Sequence, residues 1–412
     1  MYNLRMRVPL ASSGLRDSDI ELVNKVLRSG NLTMGSEVKN FEKSMCEYLK
    51  VKHFIMMNSG SSANLLMFES LLRPTKSKPK LHPGDGILVP AIAWPTTIWP
   101  VIQLGLIPIF VDVDPKTLAL NLTEAQELID KSRIPVAGLF PIHPLGYAIP
   151  PSLLDAFAKK NDLVLISDVC ESLGSWSEGM HAGTSGIAGS FSFYFSHHIT
   201  TMEGGGVATN DSEVADDLRS MRSHGWSRDR SDVREWTAQI SKNDEKFLFV
   251  STGYNVRPME IQAVIGSSQI KEISNFVDRR RSIARKVVES LADTELTVIG
   301  MESLLQDGDE KTNSWMLIPI YVSGKNAALR RKSIVEALES KQIETRPVLT
   351  GNFLAQPAIQ RITKYAIESK SFKVAQDITD KAFMVGAHHD LSDEQINFLC
   401  QSLRELALNK WE

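Results

Sequence analysis

The chain alternates short apolar runs with longer stretches in which apolar residues recur every three or four positions. The runs His53–Met57, Gly86–Val89, Ile107–Val113, Val136–Phe140, Leu163–Ile166, Phe191–Phe195 and Val207–Thr209 are rich in Val, Ile and Phe, and their lengths predict strands. Helical patterns separate several of them, as in Ser61–Leu72 and Pro151–Lys160. This rhythm predicts an α/β fold around a largely parallel sheet, whose ligands should gather at the carboxyl ends of the strands. Beyond Pro258 the pattern changes to long charged helices within Glu260–Ala292, and further strands are predicted at Trp315–Tyr321 and Glu344–Pro347. The expected organisation is a large domain over residues 1–257 and a smaller C-terminal domain over residues 258–412.

Composition narrows the function classes. With 42% apolar residues and a net charge of -3 over 412 residues, no positive excess points to nucleic acid or an acidic membrane surface. The start, MYNLRMRVPLASSG, has too few apolar residues for a secretory signal. The uncharged stretch from Ile87 to Val111 carries Pro90, Pro95, Pro100, Gly105 and Pro108, which break a spanning helix. A cytoplasmic protein is expected. Cys46, Cys170 and Cys400 are far apart and show no CxxC spacing, so neither a disulfide framework nor a zinc site is suggested. Three cysteines in one chain cannot supply a four-thiolate iron–sulfur cluster.

Five segments could carry chemistry. NSGSSANLL (Asn58–Leu66) follows an apolar run: Gly60 permits a sharp turn, and Ser61 and Ser62 offer hydroxyls and amides at a helix start. That is a natural phosphate site, although taken alone the motif reads more simply as a serine cap. LVLISDVCES ends an apolar run at Asp168, where a carboxylate either meets a ligand or caps the following turn. SFYFSHHITTMEGGG (Ser192–Gly206) holds His197 and His198 after an aromatic run. These are either loop histidines, one packed and one solvated, or a proton-transfer site. No carboxylate or cysteine at ligand spacing supports a metal there. In SHGWSR and GYNVRPME, His224, Arg228 and Asn255 could hold anionic or hydroxylated groups, or serve as ordinary polar residues.

Taken together and in this order, these segments resemble the sugar aminotransferase family of fold-type-I pyridoxal-phosphate enzymes, over nearly the whole chain from Pro9–Ser13 onward. The resemblance implies an aspartate-aminotransferase-like α/β fold. Its large domain has a mostly parallel seven-stranded sheet, its smaller domain is C-terminal, and the enzyme is an obligate homodimer with active sites at the subunit interface. In that family the strand–loop segment reads like SFFPSKN, with the lysine holding the cofactor covalently. Here SFYFSHH sets His197 at the lysine position.

The substitution matters chemically. Imidazole cannot form the stable imine that a primary amine forms with pyridoxal, and no lysine occurs between Lys160 and Lys242. Pyridoxal 5'-phosphate, or its amine form pyridoxamine 5'-phosphate, is therefore expected to be held non-covalently, with His197 as catalytic base. SHHITTMEGG, SHGWSRD, GYNVRPME and RPVLTGNF are most similar to a histidine-bearing branch that removes the C3 hydroxyl of a nucleotide-linked 4-keto-6-deoxyhexose. The substrate this implies is GDP-4-keto-6-deoxy-D-mannose, giving a 3-deoxy-4-keto sugar and ammonia, with glutamate restoring the amine form. A second histidine-bearing branch uses an iron–sulfur cluster, whose four-thiolate form the cysteine count excludes.

Carried over by the resemblance, Gly60, Ser61, Ser62 and Ser192 bind the cofactor phosphate, and Asn255 reaches it from the partner subunit. Trp94, in AIAWPTT, stacks on the pyridine ring. Asp168 pairs with the ring nitrogen, and Glu171 lies near the ring hydroxyl, where relatives often carry glutamine. His224 and Arg228 lie near the sugar nucleotide. Two alternatives stay open at this point: an aminotransferase-like enzyme acting on another nucleotide sugar, and a non-catalytic relative that only binds a ligand.

Overall fold

The computed structural model describes residues 6–238, 240–241, 244–305, 311–362 and 372–409. Seven strands form the large sheet: β1 (His53–Met57), β2 (Gly86–Pro90), β3 (Ile107–Val111), β4 (Val136–Leu139), β5 (Val164–Asp168), β8 (Ala188–Ser192) and β9 (Gly205–Thr209). Between β5 and β8 lies a small hairpin, β6 (Trp176–Ser177) with β7 (Met180–His181). The sheet order is β1-β9-β8-β5-β4-β2-β3. All neighbours are parallel except β9, which runs antiparallel to both β1 and β8.

Burial explains why these segments read as continuous apolar runs rather than alternating ones. Every residue of β2 and β9 is buried, as expected for a sheet covered on both faces. Where two elements approach most closely, glycine is required. A Cβ on Gly205 would lie 2.4 Å from the amide nitrogen of Gly60, so the start of β9 can touch the helix start only without a side chain.

The second sheet has four strands: β10 (Leu296–Val298), β11 (Leu317–Val322), β12 (Thr345–Arg346) and β13 (Ala382–Gly386), in the order β10-β11-β13-β12. A division of the chain after residue 257 stands as a proposal; it puts every strand of the large sheet before the boundary and every strand of the small sheet after it. The Glu260–Gln269 helix lies beyond that boundary yet packs against the Asp17–Ser29 and Ser36–Leu49 helices. Val8 forms a bridge with Ile343, so the N-terminal segment reaches the small-sheet region. Asp112, just past β3, accepts from the amides of Val374 (2.9 Å) and Ala375 (2.8 Å), satisfying first-turn donors of the Lys373–Lys381 helix.

The same device fixes the N-terminal helices. Buried Glu260 accepts from the backbone amides of Gly35 (2.8 Å), Glu37 (2.9 Å) and Val38 (3.0 Å). It neutralises the start of the Ser36–Leu49 helix, which has no side-chain cap of its own. Glu260→Ala should destabilise the protein by about 3 kcal/mol, because one buried and two half-buried donors lose a charged acceptor. Urea unfolding at neutral pH measures this; a midpoint equal to wild type contradicts it.

Candidate active site

Because six of the seven strands are parallel, their carboxyl ends face one side of the large sheet. Four of the site's parts follow from that. Strand β1 feeds the Gly60–Leu72 helix, whose N-cap is Ser59; its hydroxyl accepts from the Ser62 amide at 3.1 Å. The Ser62 hydroxyl turns back to Asn58 Oδ1 at 2.7 Å, while Ser61 is exposed at the mouth. The amides of Gly60 and Ser61 belong to the first helical turn, where donors have no intrahelical acceptor and favour an anion. Ser192, the last residue of β8, closes the other side. A Cβ on Gly60 would lie 2.6 Å from Ser192 Cβ and 3.1 Å from Cys170 Sγ. The turn is therefore a cradle that any side chain at residue 60 fills.

Asp168 is the last residue of β5 and is buried. Its Oδ2 accepts from Asn64 Nδ2 (2.9 Å) and Thr97 Oγ1 (2.8 Å), and its Oδ1 accepts from the Cys170 amide (3.1 Å). Asn64 is held in turn by the Ser190 hydroxyl at 2.5 Å. Every contact presents a donor, which suits a carboxylate used as an acceptor. Trp94 precedes the Pro95–Gln103 helix and is 47% exposed. Arg346 of β12 lies 5.5 Å from the centre of the Trp94 ring.

Glu171 accepts from the Leu145 amide at 3.0 Å. Burial pushes its carboxyl up to about 7; the Leu145 bond and the Arg346 charge oppose the rise, and Asp168 adds to it. A carboxyl raised in the folded state favours the native form most at low pH. That contribution fades as pH climbs from the ordinary glutamate range to about 7. Glu171→Gln removes the titration. The wild-type stability, measured relative to the variant by urea melts at pH 5 and pH 8, should fall by up to about 3 kcal/mol. An equal difference at both pH values would exclude the raised carboxyl.

His197 lies in the loop after β8. The structure ends that strand at Ser192, so Phe193–Phe195 leave the sheet instead of extending it. Phe193 turns inward against Phe41 and Phe54, while Tyr194 and Phe195 are exposed. Burial, helped by the charges of Arg280 and Arg346, holds the His197 imidazole down at about 3. It is a neutral base throughout the ordinary pH range. His198 is fully buried, and burial with the nearby Arg280 and His197 charges also keeps it neutral.

The remaining candidates sit on paired segments: Ser223 bridges Asn255, the His224 amide donates to Tyr254 O at 2.8 Å, and Val256 O accepts from the Asn58 amide at 3.0 Å, so this segment runs beside the Asn58–Ser62 turn. His224 is exposed, with a positive φ of 66°. Arg228 packs over Trp226 at 4.2 Å and pairs with Asp229 at 3.6 Å. Exposed Asn255 accepts from Arg257 Nε at 3.1 Å. Trp226 itself stacks with Phe247 and Phe249, both exposed, so this arm presents an aromatic surface with cationic groups beside it. Sequence reasoning missed Asn64, Thr97, Arg280 and Arg346. Arg346 stood in the quoted RPVLTGNF stretch without a role.

Among the described residues, no cluster of three His, Cys, Asp or Glu side chains is placed to hold a metal, and no helix is long and apolar enough to cross a membrane.

The geometry can be set beside known proteins. The family model of DegT/DnrJ/EryC1/StrS aminotransferases matches residues 14–404. The chain belongs to that family. A GDP-4-keto-6-deoxy-D-mannose 3-dehydratase of Yersinia pseudotuberculosis is 35% identical over 410 residues, covering 98% of this chain and 100% of that protein. The crystal structure of a histidine-to-asparagine mutant of GDP-4-keto-6-deoxymannose-3-dehydratase with bound GDP-perosamine matches with a TM-score of 0.87 at 33% identity, covering 96% of this chain and 100% of that one. A double mutant of the same enzyme, with an adjacent serine and histidine changed to asparagine and lysine, matches with a TM-score of 0.85 at 34% identity, over 95% and 100% of the two chains. The chain carries this family's fold, an α/β architecture with a mixed seven-stranded sheet.

Proposed function

We propose that this protein is a pyridoxal-phosphate-dependent 3-dehydratase of a nucleotide-linked 4-keto-6-deoxyhexose, with GDP-4-keto-6-deoxy-D-mannose as substrate. The carrying observation is a neutral, half-buried histidine at the position of the family's cofactor-binding lysine, in a site otherwise fit for the cofactor. The relatives' names support the substrate, and the engineered serine–histidine pair of one relative matches the dipeptide Ser196–His197.

The fit to the cofactor rests on three features. The Gly60 cradle, with Ser61, Ser62 and Ser192 around it, suits a phosphate. The Asp168 carboxylate suits a protonated ring nitrogen, and the exposed face of Trp94 suits stacking on an aromatic ring. The cofactor, when bound in its amine form, supplies the electron sink that makes loss of the sugar's C3 hydroxyl feasible.

The chain's own residues do the rest. His197 takes a proton at its imidazole nitrogen as general base, and the protonated ring is then the acid that assists the departing hydroxyl. Lacking a primary amine, it does not retain the cofactor covalently. Glu171 sits next to Asp168 where a ring hydroxyl is expected, and its raised carboxyl can donate as well as accept near neutrality. Arg346 offers a cation for an anionic group of glutamate or substrate. His224, Arg228 and the Trp226 arm serve the sugar nucleotide, and Asn255 serves the phosphate of the partner subunit in a homodimer.

Incubation with GDP-4-keto-6-deoxy-D-mannose, glutamate and cofactor, followed by mass spectrometry, tests the reading. Loss of the C3 oxygen with release of ammonia is expected. An amino sugar as product would instead assign amino transfer, and no turnover with no cofactor absorbance would assign a binding protein.

A further inference from the structure

Arg280 has an unusual set of partners. It lies mid-way along the Ile273–Ser290 helix, in the buried stripe Ile273, Val277, Arg280, Ala284, Val287, and is only 1% exposed. A buried guanidinium is normally matched by a carboxylate. Here its partners are three backbone carbonyls. Nη1 donates to Trp315 O (3.2 Å) and Met316 O (2.9 Å), and Nη2 donates to His197 O (3.2 Å). Asp390 acts on it only through its longer-range field.

The carbonyls belong to two different sides of the site. His197 lies in the loop between β8 and β9, whereas Trp315 and Met316 lead into β11. Trp315 is fully buried with a positive φ of 53°, a conformation costly for a bulky residue, and Asn313 Oδ1 accepts from its amide at 2.8 Å. The Met316 amide donates to Leu145 O at 2.9 Å, and the Leu145 amide donates to Glu171. One guanidinium therefore bridges the loop of His197 to the segment that sets the turn against Glu171. The His197 amide closes only a local turn onto Tyr194 O at 2.9 Å, so Arg280 supplies the long-range anchor at that residue's carbonyl.

We propose that Arg280 is a positioning residue: it fixes the main chain of His197 relative to the small sheet and so aims the imidazole at the reacting carbon and oxygen. The proposal rests on the reading of His197 as the proton-transfer base. Only a planar fork can hold three carbonyls drawn from two directions. An ammonium at this place is a point charge on a thinner stem.

The test compares Arg280→Lys, Arg280→Ala and His197→Asn as holoenzymes, in the dehydration assay. Arg280→Lys should lower kcat by roughly 10²-fold, the usual consequence of an ångström-scale misplacement, with KM for the sugar nucleotide and cofactor absorbance unchanged. Guanidinium chloride at low millimolar concentration should restore part of kcat to Arg280→Ala and do nothing for wild type. If Arg280→Ala does not fold, Arg280→Lys decides alone. Wild-type kcat in Arg280→Lys beside an inactive His197→Asn overturns the positioning role and leaves the base intact. Parallel losses of KM, cofactor content and melting temperature in Arg280→Lys mean a general scaffold role and also overturn it. Full turnover by His197→Asn removes the base reading first, and the positioning role with it.

Discussion

Changing His197 to asparagine should lower kcat by about 10²- to 10⁴-fold, the usual contribution of a positioned general base, while the protein still binds cofactor and folds normally. Anchoring the cofactor and moving protons are separate jobs, and an imidazole can do only the second. The cradle at Gly60, the Asp168 carboxylate and the Trp94 face lie on other elements, so the substitution leaves the anchoring groups in place. Steady-state kinetics, with cofactor absorbance as the control, check this, and unchanged kcat would remove His197 from the reaction. His197→Lys reverses the chemistry: the amine should capture the pyridoxal form, so that borohydride fixes the cofactor to the chain and dehydration falls. The pH profile supplies a third reading. Because burial holds the imidazole at about 3, its protonation should not limit activity between pH 5 and 8. A kcat limb near 7 belongs to Glu171 and should vanish in Glu171→Gln.

Much of this site was legible because it hangs on strand ends. Apolar runs located β1 and β5, and their last residues delivered Asn58–Ser62 and Asp168 to one edge. Strand β8 was placed late, at Phe191–Phe195, for a packing reason. A Cβ on Gly189 would lie 2.2 Å from Gly183 O, so the true strand begins with small residues that an apolar pattern undervalues. Beyond the strand only Phe193 packs into the core, from a loop, while Tyr194 and Phe195 stay exposed. Strand β13 is hidden because it follows the Lys373–Lys381 helix directly, with no Gly, Pro or Asn between them to mark its start.

Arg280 was hidden for a different reason. In the run Arg279, Arg280 and Arg281, composition announces a solvated helix face, yet only the middle residue falls on the apolar stripe of Ile273, Val277, Ala284 and Val287. That register was present in the sequence. Its significance emerges only when the three carbonyls around the guanidinium are seen. Asn64 and Thr97 were illegible outright, since each acquires meaning only from a carboxylate that is distant in sequence. His224 and Asn255 come together through the pairing of Ser223 with Asn255 and of the His224 amide with Tyr254 O, a tertiary contact that the sequence does not display.

Asp168→Asn should retain the fold and reduce kcat by about 10²- to 10³-fold, the scale of losing one preorganised electrostatic partner. Asparagine matches the aspartate in shape, but the present pocket offers only donors to both oxygens: Asn64 Nδ2 and Thr97 Oγ1 to one, the Cys170 amide to the other. Whichever way the new amide turns, its NH₂ meets a donor, which costs about 1–3 kcal/mol of stability. The larger loss is chemical. A neutral amide no longer favours a protonated ring nitrogen, so residue 168 would lose its hold on one, while the proposed phosphate cradle at Gly60 is untouched. Cofactor affinity should therefore fall far less than kcat. Ala at this position confounds the two by leaving two buried donors and the half-buried Cys170 amide unpaired, which is why the isosteric change is the informative one. Measured side by side, a kcat loss with bound cofactor assigns Asp168 to the chemistry, whereas equal losses of cofactor and activity assign it to binding alone.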